Sequence, residues 1–343
     1  MRQVRMEPVD RSDPQIIGGI ALRGRLGSGG MGRVFYGLTA DYEPVAVKVI
    51  REEMADRAEV RARFAREVDA LRTVQGPHVA GLVDASEEDE EPPWLAVEYV
   101  RGLSLKEFVE LRGPLAPADA ATLGVLLAAA LKDVHRAGLL HRDLKPGNIL
   151  LGRDGPKVID LGLVAFAEGP TDLTTSGSTL GTPACMSPEQ ANTPRSVTAA
   201  TDVYALGATL LFALTGHYPY QGANLAALLM NIINSEKAPD LAGLPEDFVP
   251  FVTAMLAHDP AARPGLAQVT SWLTGPATAG GLTLPVAVRR LAVATYVERE
   301  SDPAEPEPSL PKRRDLTDVV VPGSVVALLA ERLRDAYAAN ARF

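Results

Sequence analysis

Apolar and polar positions alternate along the first third of the chain, and this alternation predicts β-strands. Between residues 20 and 100 the period is two, as in strands with one buried face. One stretch differs: over residues 56–74 apolar side chains recur at helical spacing, and Phe64, Val68 and Leu71 share one stripe. The pattern therefore predicts a small lobe made of strands and a single helix.

From residue 103 onward the apolar positions recur at helical spacing and predict a second, larger lobe. Helices are predicted over residues 118–136, 201–215, 225–234, 246–256 and 266–273, with Gly and Pro between them. The whole pattern predicts an α+β fold, in which a small antiparallel β lobe is followed by a mainly helical lobe.

The boundaries of this main domain follow from composition. Residues 1–15 are predicted to be a flexible leader, because they are polar and contain two prolines. We expect the main domain over residues 16–274, with the first lobe at about 16–100 and the second at about 101–274.

Residues 275–343 are predicted to be a linker and a C-terminal extension. Gly, Pro and Glu are frequent in parts of it, as in linkers. Two apolar patches, at 282–297 and 319–337, predict short helical segments. The second patch has one apolar stripe and is predicted to dock on the helical lobe or on a partner, and the alternative is a terminal helix without consequence.

Charge and cysteine content narrow the possible functions. The 343 residues carry a formal charge of −9, with a pI near 5.2, which argues against a partner such as nucleic acid or an anionic membrane. No apolar stretch is long enough to be a candidate membrane span. Cys185 is the only cysteine, so no intrachain disulfide can form, and we expect a reducing, cytoplasmic location.

Two predicted strands are joined by a glycine-rich run, Gly27-Ser28-Gly29-Gly30-Met31-Gly32. The G-x-G-x-x-G spacing also occurs in dinucleotide-binding folds, where the last glycine opens a helix. Here the chain continues as a strand, so the run is predicted to be a hairpin turn whose backbone amides can lie over phosphates. A hairpin turn without a ligand is the alternative.

Lys48 and Glu67 are predicted to form an ion pair. Lys48 lies in the strand-like run 45–50, on the face opposite the valines. A single lysine in a strand is usually solvated. Glu67, however, lies beside the apolar stripe of the predicted helix, where a carboxylate needs a cationic partner.

A third motif carries the chemistry. It runs His141-Arg142-Asp143-Leu144-Lys145-Pro146-Gly147-Asn148, and Asp160 follows a later apolar run. Two acids and an amide on loops beside short strands suit oxygen ligation of a hard cation, with one carboxylate left as a base. Together with the glycine-rich run, Lys48 and Glu67, this motif resembles the eukaryotic-like serine/threonine protein kinases of bacteria, over residues 16–274.

The resemblance implies the two-lobed protein kinase fold and a role for each motif residue. Asp143 matches the base that accepts the substrate hydroxyl proton. Lys48 matches the lysine that holds the α- and β-phosphates of ATP, and Glu67 matches its helix partner. Asn148 and Asp160 match the two Mg2+ ligands.

The nucleotide contacts are implied by the same resemblance. Val97 matches the gatekeeper, and the Glu98 carbonyl and the Val100 backbone match the groups that meet adenine. The full set of implied ATP-binding residues is Leu26, Gly27, Ser28, Gly29, Gly30, Met31, Gly32, Val34, Ala46, Lys48, Val97, Glu98, Val100 and Leu150.

Motifs of the second lobe extend the resemblance. Glu189 is implied to pair with Arg263, and Asp202 to anchor the catalytic loop, although a helix N-cap is the alternative for Asp202. Lys145 is counted with the catalytic residues. Together with Thr182 it implies that serine or threonine is the acceptor.

Two positions depart from the family pattern. Leu161 replaces the usual Phe after the metal-binding Asp160, an exchange of one apolar side chain for another that should preserve activity. Cys185 stands where relatives often have Tyr, so substrate preference transfers less directly. We interpret Cys185 as a buried apolar residue and not as a redox switch.

The predicted function is transfer of the γ-phosphate of MgATP to serine or threonine hydroxyls of protein substrates. Arg142 beside Asp143 predicts activation by autophosphorylation within residues 171–179, where Asp172 is the only acid, with self-association for phosphorylation in trans. A catalytically weak kinase-fold scaffold is the alternative from another class. A small-molecule phosphotransferase is disfavoured by Glu189 and Arg263.

Overall fold

The computed structural model describes residues 6–10, 12–28, 32–51, 58–87, 90–160, 183–192 and 197–299. The chain divides into two units, Met1–Asp302 and Pro303–Phe343. The second unit, with the predicted helical segment at 319–337, lies outside the described residues. The same holds for Gly29, Gly30 and Met31 and for residues 161–182.

A six-stranded antiparallel sheet forms the first lobe, in the spatial order β1-β2-β3-β4-β6-β5. The strands are β1 (Ile16–Ile17), β2 (Ile20–Ser28), β3 (Gly32–Leu38), β4 (Pro44–Ile50), β5 (Leu82–Ala85) and β6 (Trp94–Glu98). The strands confirm the predicted antiparallel β lobe.

The period of two in β4 gives this sheet two different faces. Val45, Val47 and Val49 are buried in the core of the first lobe. Ala46 and Lys48 alternate with them and therefore lie on the opposite face, where they line a large cavity.

One helix, α1 (Ala58–Thr73), accompanies the sheet. The apolar stripe predicted for it is buried, with Phe64, Val68 and Leu71 in the core that continues into the second lobe. Glu67 is buried on the same helix.

The second lobe is mainly helical, as predicted. Its helices are α2 (Leu105–Arg112), α3 (Pro117–Arg136), α4 (Pro188–Asn192), α5 (Ala199–Thr215), α6 (Leu225–Ile233), α7 (Val249–Met255), α8 (Leu266–Ala277) and α9 (Leu284–Thr295). A hairpin of β7 (Ile149–Gly152) and β8 (Gly155–Val158) lies between α3 and α4 in the sequence.

Two of these helices differ from their predicted bounds. The helix predicted at 246–256 begins as a short 3-10 turn, Glu246–Phe248, before α7. Helix α8 continues past residue 273 and includes Pro276. Gly275 and Pro276 predicted an earlier stop, but Ala277 is fully buried, and this packing keeps the last turn helical.

The centre of the second lobe is α5. Every residue from 201 to 214 is buried, which explains why this helix is apolar on all sides. It begins at Thr198, whose hydroxyl accepts from the Ala200 N–H, and ends at Gly216 in the left-handed conformation. Asp202, in its first turn, is thereby fixed inside the lobe.

The described part of residues 1–15 makes specific contacts with the first lobe. Glu7 and Arg25 exchange two backbone hydrogen bonds of 3.0 and 2.7 Å, so this segment runs beside β2. The carboxylate of Asp13 is buried between the guanidinium groups of Arg25 and Arg33, at 2.7 Å from each. These contacts join residues far apart in sequence, so the local composition of the segment did not indicate them.

Helix α9 packs on the second lobe, beyond the predicted domain end at residue 274. Ala287 and Leu291 are fully buried. The Arg290 guanidinium lies 2.8 Å from the Asp119 carboxylate on α3. Among the helices within the described ranges, none is long and apolar enough to cross a membrane.

Candidate active site

A cavity of about 860 Å³ is lined by both lobes. Strands β2, β3 and β4 supply Leu26, Val34 and Ala46. The second lobe supplies Leu150 of β7, and Val100 comes from the segment that joins the lobes. The lining is mostly apolar, which is typical of a ligand site, and we call the part formed by Lys48, Glu67 and Asp160 its charged end.

Lys48 and Glu67 form the predicted ion pair at the charged end. The Lys48 ammonium lies 2.8 Å from the Glu67 carboxylate and 4.0 Å from the Asp160 carboxylate. Burial alone would lower the pKa of Lys48, but these two carboxylates outweigh it and raise the pKa above its ordinary value. Lys48 is therefore a permanent positive charge in the cavity.

Asp143 lies in a cluster with Lys145 and Asn148. The Lys145 ammonium is 2.6 Å from Asp143 Oδ2. The Asn148 amide N–H donates to the Asp143 carbonyl at 2.9 Å and to Oδ2 at 3.0 Å. Gly147 of the same loop lines the cavity, and the Asp143 charge contributes to the raised pKa of Lys48. The cluster therefore adjoins the charged end of the cavity.

Asp202 holds the backbone of the loop that precedes Asp143. Its carboxylate accepts the backbone N–H of His141 at 2.9 Å and that of Arg142 at 2.8 Å, and it lies 2.7 Å from His135 Nε2. Asp202 is fully buried, so these partners are what stabilise its charge. The anchoring contacts are present, while the alternative helix N-cap is Thr198 and not Asp202.

His141 is buried beside Asp143 and is held in its neutral form. It is fully buried, and burial lowers its pKa, against the opposing effect of Asp202. A neutral imidazole can accept a hydrogen bond, and Nδ1 accepts the Asp143 N–H at 3.3 Å. His141 is thus a structural residue beneath Asp143.

Two residues of the site hold left-handed backbone conformations. Arg142 has a φ of 63° and Asp160 has a φ of 54°. Such conformations cost about 1–3 kcal/mol each and persist only where neighbouring contacts fix them. For Arg142 these contacts are Asp202 and the Gln190 amide, which donates to the Arg142 carbonyl at 2.8 Å.

Asn148 and Asp160 are suitable ligands for Mg2+. The Ile159 N–H donates to the Asn148 carbonyl at 2.9 Å, which places Asp160 next to Asn148. The Asn148 amide nitrogen faces Asp143, so its side-chain oxygen is the atom that remains for a cation. Amide and carboxylate oxygens are the donors that Mg2+ prefers. Within the described residues, no three His, Cys, Asp or Glu side chains form a metal-binding group.

Most of the predicted ATP-binding residues line the cavity. These are Leu26, Gly27, Val34, Ala46, Lys48, Val97, Glu98, Val100 and Leu150. Gly29, Gly30 and Met31 lie outside the described residues. Ser28 and Gly32 are not among the lining residues. A Cβ at position 32 would collide with the Val49 carbonyl oxygen, so Gly32 is required by the close approach of β3 to β4.

The hinge between the lobes is held by an ion pair. The Lys157 ammonium on β8 lies 2.7 and 2.6 Å from the two carboxylate oxygens of Glu98. This contact ties the end of β6 to the second lobe. The sequence assigned Glu98 a backbone role only, because its partner is 59 residues away.

Glu189 and Arg263 form the predicted pair in the second lobe. Two contacts of 2.6 and 2.7 Å join the carboxylate to the guanidinium. Burial would raise the pKa of Glu189, but hydrogen bonds from Arg263 and Thr201 outweigh it and lower the pKa. The Arg263 guanidinium also lies over the Tyr204 ring, 4.9 Å from its centre.

Sequence reasoning missed one wall of the cavity. Val297, Glu298 and Arg299 line it, although they follow α9 in the predicted extension. Helix α2 also contributes four residues, Lys106, Glu107, Glu110 and Leu111. Nothing in the local pattern of residues 297–299 indicated this position, because it depends on where α9 packs.

The two-lobed fold, the lysine–glutamate pair and the Asp143 cluster together define a protein kinase. The protein kinase domain family matches residues 20–272, and the chain belongs to that family.

Its curated relatives are bacterial serine/threonine-protein kinases. The kinase AfsK of Streptomyces griseus is 42% identical over 294 residues, which cover 80% of this chain and 36% of AfsK. The probable kinase PkwA of Thermomonospora curvata is 42% identical over 269 residues, which cover 78% of this chain and 36% of PkwA. This chain spans about a third of the length of these relatives.

A solved structure shows the same fold. The kinase domain of PknI from Mycobacterium tuberculosis matches with a TM-score of 0.60 and 24% sequence identity. The match covers 76% of this chain and 96% of the PknI chain. The predicted two-lobed kinase fold is thereby confirmed.

Proposed function

We propose that this chain is an ATP-dependent protein kinase that phosphorylates serine and threonine residues. The observation that carries the proposal is the proximity of two groups. The Lys48–Glu67 pair lines the charged end of the cavity, and the Asp143–Lys145–Asn148 cluster adjoins that end. Phosphoryl transfer depends on positioning and charge neutralisation more than on covalent chemistry. These two groups supply both.

In this proposal the nucleotide binds in an orientation set by the apolar and charged parts of the cavity. Adenine lies between the apolar side chains of Ala46 and Leu150, next to the hinge backbone of Glu98 and Val100. The phosphates then extend to the charged end, where Lys48 neutralises them. Its raised pKa keeps this charge in place throughout the pH range of cells.

The acceptor hydroxyl is handled by the Asp143 cluster. Asp143 takes the hydroxyl proton as the oxygen approaches the γ-phosphate. Lys145 keeps a positive charge beside the group being transferred, and Asn148 fixes the Asp143 carboxylate through its amide. Support for serine and threonine as acceptors comes from Lys145 and from the names of the relatives at 42% identity.

Bound Mg2+ neutralises charge on the phosphate oxygens. Asn148 and Asp160 are the residues that hold it in this proposal. Asp160 has a left-handed backbone and its carboxylate lies 4.0 Å from the Lys48 ammonium, so the acid that would bind the cation also contacts the lysine.

The test is transfer of labelled γ-phosphate from MgATP to a general protein substrate. We expect incorporation into serine and threonine, and a loss of about a hundredfold or more in Asp143→Asn, because general base catalysis contributes about 10²–10⁴. Asp154→Asn is the matched control, since Asp154 is an exposed carboxylate on the β7–β8 turn. Nucleotide binding without transfer would instead make the chain a scaffold, and transfer to small molecules alone would make it a small-molecule phosphotransferase.

Activation by autophosphorylation is a second part of the proposal. The hydroxyls concerned are Thr171, Thr174, Thr175, Ser176, Ser178 and Thr179, all outside the described residues. Arg142 adjoins Asp143, and its guanidinium can form about one to three charge-assisted hydrogen bonds with a phosphate.

Mass spectrometry of the purified chain tests this regulation. We expect phosphate within residues 171–179, formed faster at higher protein concentration if two copies react in trans. Phosphatase treatment and the triple variant Thr174→Ala, Thr175→Ala, Ser176→Ala should both lower the initial rate on an external substrate. Full initial rates in both samples would contradict activation through these hydroxyls.

A further inference from the structure

The segment that follows α9 returns to the mouth of the cavity. Helix α9 ends at Thr295, where the Tyr296 N–H donates to the Ala292 carbonyl at 2.8 Å. The next three residues, Val297, Glu298 and Arg299, line the cavity together with the hinge and helix α2. We call residues 296–299 the post-α9 segment.

Three contacts hold the post-α9 segment in place. The Arg299 guanidinium lies 2.8 Å from Glu107 on α2. Glu298 lies 3.8 Å from Arg101, which belongs to the hinge. The Tyr296 ring lies beneath the Arg153 guanidinium at 5.6 Å, on the β7–β8 turn.

Arg299 shares one carboxylate oxygen of Glu107 with Ser104, a residue that also lines the cavity. Glu107 Oε2 accepts from Arg299, and it also accepts the Ser104 N–H at 2.7 Å and the Ser104 hydroxyl at 2.9 Å. Ser104 forms a backbone bridge with Leu150, a wall of the pocket. A charge 192 residues away in sequence therefore fixes the start of α2 next to the hinge.

The pKa of Glu107 and the burial of both side chains support a stable ion pair between Glu107 and Arg299. Burial would raise the pKa of Glu107, but Arg299 and Ser104 outweigh it and lower the pKa. Both side chains of the pair are largely shielded from water, with exposed fractions of 17% for Arg299 and 24% for Glu107. Ion pairs shielded to this extent are screened less by salt than exposed ones.

We propose that the post-α9 segment is part of the nucleotide site, and that Arg299 is a positioning residue for nucleotide binding. Val297 and Arg299 close one side of the cavity, and the Arg299–Glu107–Ser104 contacts hold the wall formed by α2 and the hinge. Loss of Arg299 opens this side to water and removes the contact that joins the start of α2 to the post-α9 segment. Affinity for the nucleotide falls, while the Asp143 cluster is untouched, so kcat stays the same. This inference rests on the proposed function.

The test is the dissociation constant of Mg·ADP, measured by calorimetry on the full chain. We expect Arg299→Ala to weaken binding about fivefold or more, and to raise KM for ATP by a similar factor with kcat within about twofold. Arg290→Ala is the matched control. This variant removes the ion pair between Arg290 on α9 and Asp119 on α3. Neither residue lines the cavity.

Arg299→Lys keeps the charge and a single donor toward Glu107, and we expect it to bind Mg·ADP within about twofold of the unsubstituted chain. This variant keeps the test valid if Arg299→Ala folds poorly. Equal dissociation constants in Arg299→Ala and Arg290→Ala would overturn the inference, and so would a loss in Arg299→Lys as large as in Arg299→Ala.

The two proposals fail separately. If the unsubstituted chain transfers phosphate and the dissociation constant of Mg·ADP does not change on substitution of Arg299, only the role of the post-α9 segment is overturned. Nucleotide binding that depends on Arg299, without any transfer, would overturn the kinase activity alone. No binding of Mg·ADP by the unsubstituted chain would overturn both.

Discussion

Buried charges decide the chemistry at the scale of single residues. Lys48 and Glu67 tolerate burial because each neutralises the other at 2.8 Å. Breaking such a pair costs more than replacing both members, since the survivor is left as an unpaired charge in a poorly solvated place. The pair therefore offers a way to separate stability from activity.

Lys48→Met is expected to lower phosphate transfer about a hundredfold or more, because the phosphates lose their fixed positive charge. It should also lower Tm, since Glu67 loses its partner. Adding Glu67→Gln removes the unpaired carboxylate and should recover much of the Tm without recovering activity. Thermal unfolding and transfer assays on the single and double variants check this. Recovery of activity in the double variant would contradict the role of Lys48.

Cys185 is expected to be unreactive in the folded chain. It is buried, and burial raises its pKa to about 12. The thiolate is the reactive form, so both accessibility and ionisation oppose alkylation. We expect iodoacetamide to label native protein at least about a hundredfold more slowly than urea-unfolded protein, by mass spectrometry. Rapid native labelling would contradict the interpretation of Cys185 as a buried apolar residue.

At the scale of elements, local patterns predicted most of the structure. Alternation in β4 predicted the face that carries Lys48, and the stripe on α1 predicted where Glu67 meets it. Helices α3, α5 and α6 begin and end within two residues of their predicted bounds. These features depend on periodicity, which is a property of neighbouring residues.

Contacts between distant residues were not predictable in this way. The hinge pair of Glu98 and Lys157 joins two strands of different lobes. Asp13 joins a polar segment to β2 and β3. In each case the residue type is common on surfaces, and only the three-dimensional arrangement makes it structural.

Asp13 gives the first lobe a pH-dependent stability. Burial alone would raise its pKa, but the Asp10 N–H and the Arg25 guanidinium outweigh it and lower the pKa below its ordinary value. A lowered pKa means that the stabilisation is complete above the unfolded-state pKa, about 3.9, and is lost as pH falls through the folded-state value. We expect Asp13→Asn to cost about 2 kcal/mol at pH 7, because two guanidinium groups lose the negative charge they pair with and one of the two acceptor oxygens becomes a donor.

Thermal unfolding of Asp13→Asn and of the unsubstituted chain, from pH 7 to about pH 3.5, checks this. The difference in Tm should be largest at pH 7 and should shrink below about pH 4. Glu7→Gln is the control, because Glu7 is exposed and lies 4.0 Å from the same Arg25. A difference in Tm that stays constant with pH would show that the charge of Asp13 is not what stabilises the lobe.

At the scale of the whole molecule, the packing of the second lobe continues past residue 274. Helix α9 buries Ala287 and Leu291 against the second lobe, and Ala277 closes α8. The predicted end came from the Gly- and Pro-containing run after Thr274, which is typical of linkers. That run instead contains the last turn of α8 and the short connection to α9.

The packing of α9 predicts a difference between two residues of the same helix. Leu291 is fully buried and Val293 is 80% exposed. Leu291→Ala in the full chain should cost about 3 kcal/mol and lower Tm by about 6 °C or more, because it removes buried methyl groups and leaves a cavity. Val293→Ala should change Tm by less than about 1 °C, since its side chain already faces water.

Shortened chains extend the same test to the boundary. A chain ending at Thr274 loses the buried surface of α9 and Ala277. Its Tm should be lower than that of a chain ending at Asp302, and the decrease should be at least as large as the one that Leu291→Ala causes in the full chain. It also lacks the post-α9 segment, so its affinity for Mg·ADP should be lower. Equal melting temperatures for the two shortened chains, together with an unchanged Tm in Leu291→Ala, would place the domain end at residue 274. Helix α9 would then not contribute to the stability of the domain.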